Sequence, residues 1–412
     1  MAGNRLVVCF DGTWNTPDNG ANPTNVVKIL RAIRTGDDHG TRQIVFYDKG
    51  VGTGGFTDRI AGGASGAGLT DNMVDGYRFL ANNWQEGDEI YIFGFSRGAY
   101  TTRCLAGFLG LAGLISPLHL GDGLADSVAI YRNSDLSFDQ KQNKIDDLPL
   151  IREPSVRIRC IGVWDTVGSL GIPGDLGRRL TPGKYYFRDT LLSSKVDVAL
   201  HAMAIDEKRS AFAPTLWCKP EETSSPEQII EQVWFAGVHS NVGGSYKDAG
   251  LSDTALDWMI KRVRAHTDLA FNDNYITEYV KPDAAGKGVE SRTALYKDSV
   301  LYPYQRLIKQ IKPEGGGFGE WFRNRFKKFD RRNIPPDGIK PLNEMLHVSV
   351  LERCRQPVVH DCKEDKDCKP RDYRPPALMA LINACRSGSA AIPVVGRDGE
   401  ILPNADVDWP RV

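Results

Sequence analysis

Residues Glu89 to Gly98 read EIYIFGFSRG, an apolar run of β-branched and aromatic side chains that halts at Gly94-Phe95-Ser96-Arg97-Gly98 and passes straight into AYTTRCLAGFLGLAGLI. A short apolar run, a glycine-flanked corner and a helix-like stretch predict a buried strand turning sharply into a helix. Gly94 and Gly98 let neighbouring backbone pass without a Cβ in the way. The serine at such a corner stands above the sheet with its hydroxyl presented, and the N-terminal N–H groups of the helix converge on the same spot. Ser96 is therefore the candidate nucleophile, with the Arg97 amide as a candidate oxyanion donor. The alternative is a serine in an ordinary glycine-rich β–α turn, and the strand before and helix after the pentapeptide weigh against it.

The rest of the first 165 residues alternates in the same way. Arg5 to Phe10 reads as a strand, and Asn22-Pro-Thr-Asn25 opens an amphipathic helix running through Ile33. Gln43 to Tyr47 is a second strand, Thr70 to about Trp84 a helix, and Val156 to Val163 a further strand after the elbow helix. Strands alternating with helices predict an α/β fold with a mostly parallel sheet covered on both faces. The glycine-rich stretch Gly50 to Gly68 holds neither a G-x-G-x-x-G nor a P-loop lysine and reads as a flexible loop near the site. The expected organisation is a core over 1–270 with an insertion around 170–230, then a C-terminal extension or lid over 271–412 packed on it.

With 412 residues the chain can bury a large core, and its 52 basic and 52 acidic side chains cancel. No global field recruits nucleic acid. The N-terminus lacks the charged and apolar regions of a signal peptide, so the sequence reads as cytoplasmic unless a signal-independent system exports it. The longest apolar stretch, Cys104 to Ile115, is too short to span a bilayer and reads as a buried helix. Of the eight cysteines, Cys9, Cys160 and Cys218 sit in apolar runs and read as reduced core thiols. Cys354, Cys362 and Cys368, with His360 among them, occupy a charged loop whose spacing matches no common zinc pattern, and no metal is expected.

A serine nucleophile needs a base, and the base an orienting carboxylate. Asp165 follows the strand RIRCIGVW directly, and His239 follows the strand-like QVWFAGV. The order serine, aspartate, histidine is that of an α/β-hydrolase, and both residues fall where a parallel sheet presents its ligands. His201 also follows Asp165, but VDVALHAMAI reads as a helical pattern with apolar neighbours, which suits a packed or supporting histidine. The second oxyanion donor should come from the loop after the first strand, Phe10-Asp11-Gly12-Thr13-Trp14-Asn15, through the amide of Gly12 or Thr13, with Asp11 either bracing the loop or hydrogen-bonding within the site. The same letters evoke the D-x-D-G-T of haloacid-dehalogenase-type phosphatases. Here the nucleophilic position is Cys9.

Six segments in order, FDGTWN, YDKGVGTG, GFSRGAYTTR, GVWDTVGSLGIP, HAMAIDEKRSAFAPTLW and WFAGVHSNVGGSY, resemble the α/β-hydrolase domain of a bacterial and fungal family first known as an uncharacterised domain. That family includes phospholipase effectors of bacterial type VI secretion. The resemblance runs from about Arg5 to about Met259, through LSDTALDWM. It implies a Ser96–Asp165–His239 triad and ester hydrolysis, with phospholipids as the substrate best attested in the family. Two-step acyl transfer by such a triad needs no metal or cofactor, and an immunity or carrier protein is a partner to expect if the chain is an effector. After His239 the chain has Ser240-Asn241 where an aspartate is expected before VGG, and only about 150 residues follow where large effectors carry membrane-engaging regions.

In those residues, Gly315-Gly316-Gly317 precedes FGEWFRNRFKKFDRR. Phe322, Phe326 and Phe329 share a helical face with Trp321 beside them, and arginines and lysines fill the remainder. Such a helix could contact a lipid surface or close over its own core as a lid. Three readings follow: a lipid esterase, a soluble esterase on small or polymeric esters, and a non-catalytic scaffold.

Overall fold

The computed structural model describes residues 3–12, 22–50, 66–167, 192–209, 212–220, 228–292, 305–312 and 339–411. The first part of the chain runs β1 (Arg5–Phe10), α1 (Asn25–Ala32), β2 (Gln43–Asp48), α2 (Gly66–Asn83), β3 (Glu89–Phe95) and α3 (Arg97–Ala112). Then come β4 (Leu114–Ile115), α4 (Asp122–Arg132), α5 (Phe138–Asp146), β5 (Arg152–Glu153), β6 (Ile158–Trp164), β7 (Val196–Ala204), β8 (Cys218–Pro220) and β9 (Ile229–Phe235). The remainder is α6 (His239–Gly243), α7 (Gly250–His266), α8 (Asp273–Tyr279), β10 (Ile339–Pro341), β11 (Glu344–His347), α9 (Val348–Cys354), α10 (Pro376–Arg386), β12 (Val394–Val395) and β13 (Ile401–Leu402).

Among the described residues, nine strands form one sheet in the order β13-β12-β11-β9-β7-β6-β3-β1-β2. Only the last pair, β12 with β13, is antiparallel; the others are parallel. The chain is an α/β protein with a large, mostly parallel sheet. Strand β1 is buried along its whole length, the continuous apolar run of a strand covered on both faces. Leu6, Val8 and Phe10 meet α2 and α3 on one face, through Met73, Tyr77, Leu105 and Leu109. Val7 and Cys9 meet α1 and α7 on the other, through Val26, Ile29, Leu256 and Met259. A third apolar cluster joins Trp234 and Met203 to Leu346, Val350, Leu378 and Leu381 of the C-terminal elements.

From β1 the chain steps outward to β2, then returns to β3 on the other side of β1 and proceeds to β6, β7 and β9. The order reverses between β1 and β3, and the C-terminal ends of such neighbouring strands diverge into the crevice that open parallel sheets use as a binding site.

Two sequence expectations change. His201 lies in strand β7, not in a helix: VDVALHAMA is buried on both sheet faces, and a strand with no polar side to alternate against mimics an apolar helix. The apolar stretch to Ile115 breaks at Gly113, whose φ of 66° ends α3 and frees Leu114–Ile115 to pair with β5. No described helix is long and apolar enough to cross a membrane. Most of Gly50–Gly68, and Trp321, Phe322, Phe326 and Phe329, lie outside the described residues.

Candidate active site

At the end of β3, Ser96 has φ 59° and ψ −121°, a conformation costly for any residue with a Cβ. Its neighbours make that corner possible. A Cβ on Gly94 would lie 2.4 Å from the Thr102 hydroxyl, and one on Gly98 would lie 2.2 Å from the Phe10 carbonyl oxygen. The start of α3 therefore presses against the exit of β1, and the Ser96 amide donates to the Trp164 carbonyl at the end of β6 at 3.1 Å. Three strand ends are pinned together around one hydroxyl.

Asp165 leaves β6 with a φ of 41°, its amide bonded to the Ala202 carbonyl of β7 at 2.7 Å. His239 opens α6 after the short turn Ala236–Val238 that follows β9. The structure brings Ser96, Asp165 and His239, all buried, into one relay. His239 Nε2 lies 2.8 Å from Ser96 Oγ and Nδ1 lies 2.5 Å from Asp165 Oδ2. An ionised carboxylate only accepts, so Nδ1 carries the proton and Nε2 is left to accept from the serine hydroxyl. The imidazole is packed between Phe95, with centroids 4.7 Å apart, and Phe212, edge-on at 4.9 Å. Burial pulls the His239 pKa below the ordinary histidine value, against the opposing pull of Asp165. Burial works to raise the Asp165 carboxyl, but Arg306 and His239 outweigh it and hold the group well below the usual carboxylate range.

The loop after β1 is braced as expected of Asp11. Its Oδ2 accepts from the Thr24 hydroxyl at 2.7 Å and the Tyr47 hydroxyl at 2.8 Å. Its Oδ1 accepts the Gly12 amide at 2.6 Å, so that amide is committed to Asp11 and does not present itself to Ser96 as an oxyanion donor. A buried carboxylate draws the nearest N–H to satisfy its lone pairs. The Thr13 amide lies outside the described residues; that of Arg97 opens α3 beside Ser96.

Sequence reasoning missed two charged groups. Arg306 is fully buried against Asp165. Glu207, also buried, accepts the His239 backbone N–H at 3.2 Å and the Ser291 hydroxyl at 3.1 Å, and grips Arg209 in a two-point pair. Burial opposes its ionisation, yet Arg209, Arg306 and His239 bring its carboxyl down to about 2. Glu207 lies in the HAMAIDEKRSAFAPTLW segment, so a signal was present; Arg306 lies in a segment with no periodicity to mark it.

His201 is buried beneath Trp217. Its Nε2 accepts the Thr166 amide at 3.2 Å, its Nδ1 lies 3.3 Å from Gln232 Oε1, and burial and Arg103 pull it down to about 3. It supports the residue after Asp165 as a neutral imidazole. Cys362 and Cys368 form a disulfide, while Cys354 stays a buried thiol and His360 Nε2 meets the Asp372 carbonyl at 3.0 Å. Cys9, Cys160 and Cys218 are buried free thiols, and burial pushes Cys218 up to about 11. Among the described residues no group of three or more His, Cys, Asp or Glu is arranged to hold a metal ion.

Residues 4–262 match the family model described as T6SS, phospholipase effector Tle1-like, catalytic domain. The uncharacterized protein YEL023C of Saccharomyces cerevisiae is 29% identical over 239 residues, covering 51% of this chain and 32% of that protein. The chain thus spans about a third of that relative's length. Among solved structures, an uncharacterized protein from Pseudomonas aeruginosa is similar with a TM-score of 0.39 and 17% identity, over 81% of this chain and 56% of that one. The Tle1 effector bound to the VgrG spike from the type 6 secretion system is similar with a TM-score of 0.33 and 17% identity, over 59% of this chain and 51% of that one.

Proposed function

The chain belongs to the Tle1-like phospholipase effector family of type VI secretion through its catalytic domain, and on that premise we propose that it is a serine hydrolase cleaving a carboxylic ester of a phospholipid. The observation that carries this reading is the unbroken relay from Ser96 Oγ through His239 to Asp165, at 2.8 and 2.5 Å, on a strained strand-to-helix corner. Ser96 Oγ attacks the ester carbonyl as its proton passes to His239 Nε2, and Asp165 stabilises the imidazolium. The oxyanion is held by the Arg97 amide, with the Thr13 amide as second donor. As the intermediate collapses, the imidazolium protonates the departing alcohol and Ser96 is left acylated. Water, deprotonated by His239, then attacks the acyl carbon, and the proton returns to Ser96 as the acid leaves. The chemistry uses this chain's own groups throughout.

The lipid preference is supported by family membership, and the aromatic and basic segment from Trp321 to Phe329 is the proposed contact with the membrane surface. If the chain acts as an effector, a carrier or immunity protein is the proposed partner.

Hydrolysis of phospholipid vesicles and of short-chain p-nitrophenyl esters, compared across variants, tests the reading. Ser96→Ala is expected to lose both activities by about a thousandfold or more. A variant with Phe322, Phe326 and Phe329 changed to serine is expected to lose vesicle hydrolysis alone. Turnover of short esters with inert vesicles would remove the lipid assignment, and Ser96-independent turnover would remove the mechanism.

A further inference from the structure

We infer that Arg306 is a positioning residue of this site, a guanidinium supplied from beyond the family-matched residues that clamps the Asp165 carboxylate and through it the His239 ring. The inference rests on the serine-hydrolase reading. Arg306 Nη1 lies 2.5 Å from Asp165 Oδ1 and Nη2 lies 2.9 Å from Oδ2, the fork-to-fork geometry that fixes a carboxylate plane. The same two nitrogens donate to the Ala204 carbonyl at 2.7 Å and the Phe212 carbonyl at 2.5 Å, so the guanidinium is itself anchored to the end of β7 and to the loop beyond it. The Ala204 amide adds a bond to Oδ1 at 2.9 Å, and His239 Nδ1 completes Oδ2. Each carboxylate oxygen thus holds two donors, and Asp165 has no rotation left that keeps them.

This does more than hold a fold together. A fully buried carboxylate without a cation nearby tends to take up a proton, and a protonated Asp165 could not hold the Nδ1–H tautomer that leaves Nε2 basic. Among the described residues, the groups that bear most strongly on the charge of the relay are as follows. Arg306, His239 and the neutral His201 face Asp165; Glu207 and Arg209 face His239. Among these groups, two carboxylates stand against two guanidiniums before the histidine takes its proton. Removing Arg306 leaves an excess negative charge that makes the Asp165–His239 pair easier to protonate. The acid limb of activity then moves to higher pH, whereas a loss of packing alone lowers activity at every pH without moving that limb.

The test is kcat and KM for a short-chain ester across pH 4.5–8.5 for the full chain, Arg306→Lys and Arg306→Gln, with Ser96→Ala as the blank and a thermal melt for each. Arg306→Gln is expected to raise the acid limb by about one pH unit and to lower kcat roughly 10- to 100-fold with KM nearly unchanged. Arg306→Lys, which keeps the charge and loses the fork, is expected to keep the acid limb and to lower kcat by a smaller factor. A folded Arg306→Gln with the wild-type limb overturns the inference. Should that variant not fold, Arg306→Lys decides: reduced kcat at unchanged KM and melting temperature supports the role, and wild-type kcat overturns it. Activity that survives in Ser96→Ala would instead sink the serine-hydrolase reading, a failure distinct from either outcome.

Discussion

At the scale of single residues, the site depends on backbone conformations that side chains would spoil. Ser96 at φ 59° is tolerable because Gly98 brings α3 against the end of β1, where a Cβ would sit 2.2 Å from the Phe10 carbonyl oxygen and 2.5 Å from that of Asp11. Both obstructing atoms are backbone, so Gly98→Ala must shift the corner away from β1. The variant is expected to lose about 1–3 kcal/mol of stability and roughly 100-fold in kcat, measured by urea unfolding and ester turnover. Wild-type turnover in Gly98→Ala would show that the close approach is dispensable. Ser96, Asp165 and His239 were legible in the sequence because each stands at the end of an apolar run, a position the strand pattern marks directly. Arg306 and Glu207 were not, since their meaning lies in a contact: Arg306 meets Asp165 across 141 residues of chain. The Gly12 amide was misjudged for a related reason, because the adjacent Asp11 carboxylate claims it.

At the scale of elements, amphipathic or capped segments read well and fully buried ones less so. Helix α1 begins where Thr24 accepts the Val27 amide, a cap written in the sequence. Strand β7 gives no such cue: with both faces covered, its period of two vanishes and its histidine reads as a helical one. The C-terminal strands were harder still. Among β11, β12 and β13, the longest covers only Glu344–His347, too short for periodicity to declare, yet β11 pairs with β9 and carries the sheet onward. Residues beyond 270 thus supply both three strands of the main sheet and the guanidinium on Asp165. The Cys362–Cys368 pairing was equally hidden, because spacing alone does not show which thiols meet.

At the scale of the whole molecule, several buried ionisable groups make stability depend on pH. Burial pulls His347 and His201 down to about 3, from an unfolded value of about 6.5. Between those limits the unfolded chain binds protons that the folded chain refuses, so stability falls as pH drops from 6.5 toward 3. Glu207 adds to the loss: its folded value of about 2 means that stability present above the unfolded value near 4.5 disappears below it. Asp206 and Glu344, whose carboxyls burial pushes up, act in the opposite sense and soften the slope. A difference measurement isolates one group. His347 caps α9 by accepting the Ser349 amide, a task asparagine also performs. His347→Asn is therefore expected to flatten the slope of unfolding free energy between pH 6.5 and 4.5 by about 1.4 kcal/mol per pH unit. Parallel slopes for the two proteins would show that His347 is not buried as a neutral ring.

Ser96 as the nucleophile of a working relay is open to a fluorophosphonate probe followed by peptide mass spectrometry. A single adduct on Ser96 is expected, absent in Ser96→Ala and formed far more slowly in His239→Gln. An adduct on another residue, or none on a folded protein, would contradict it.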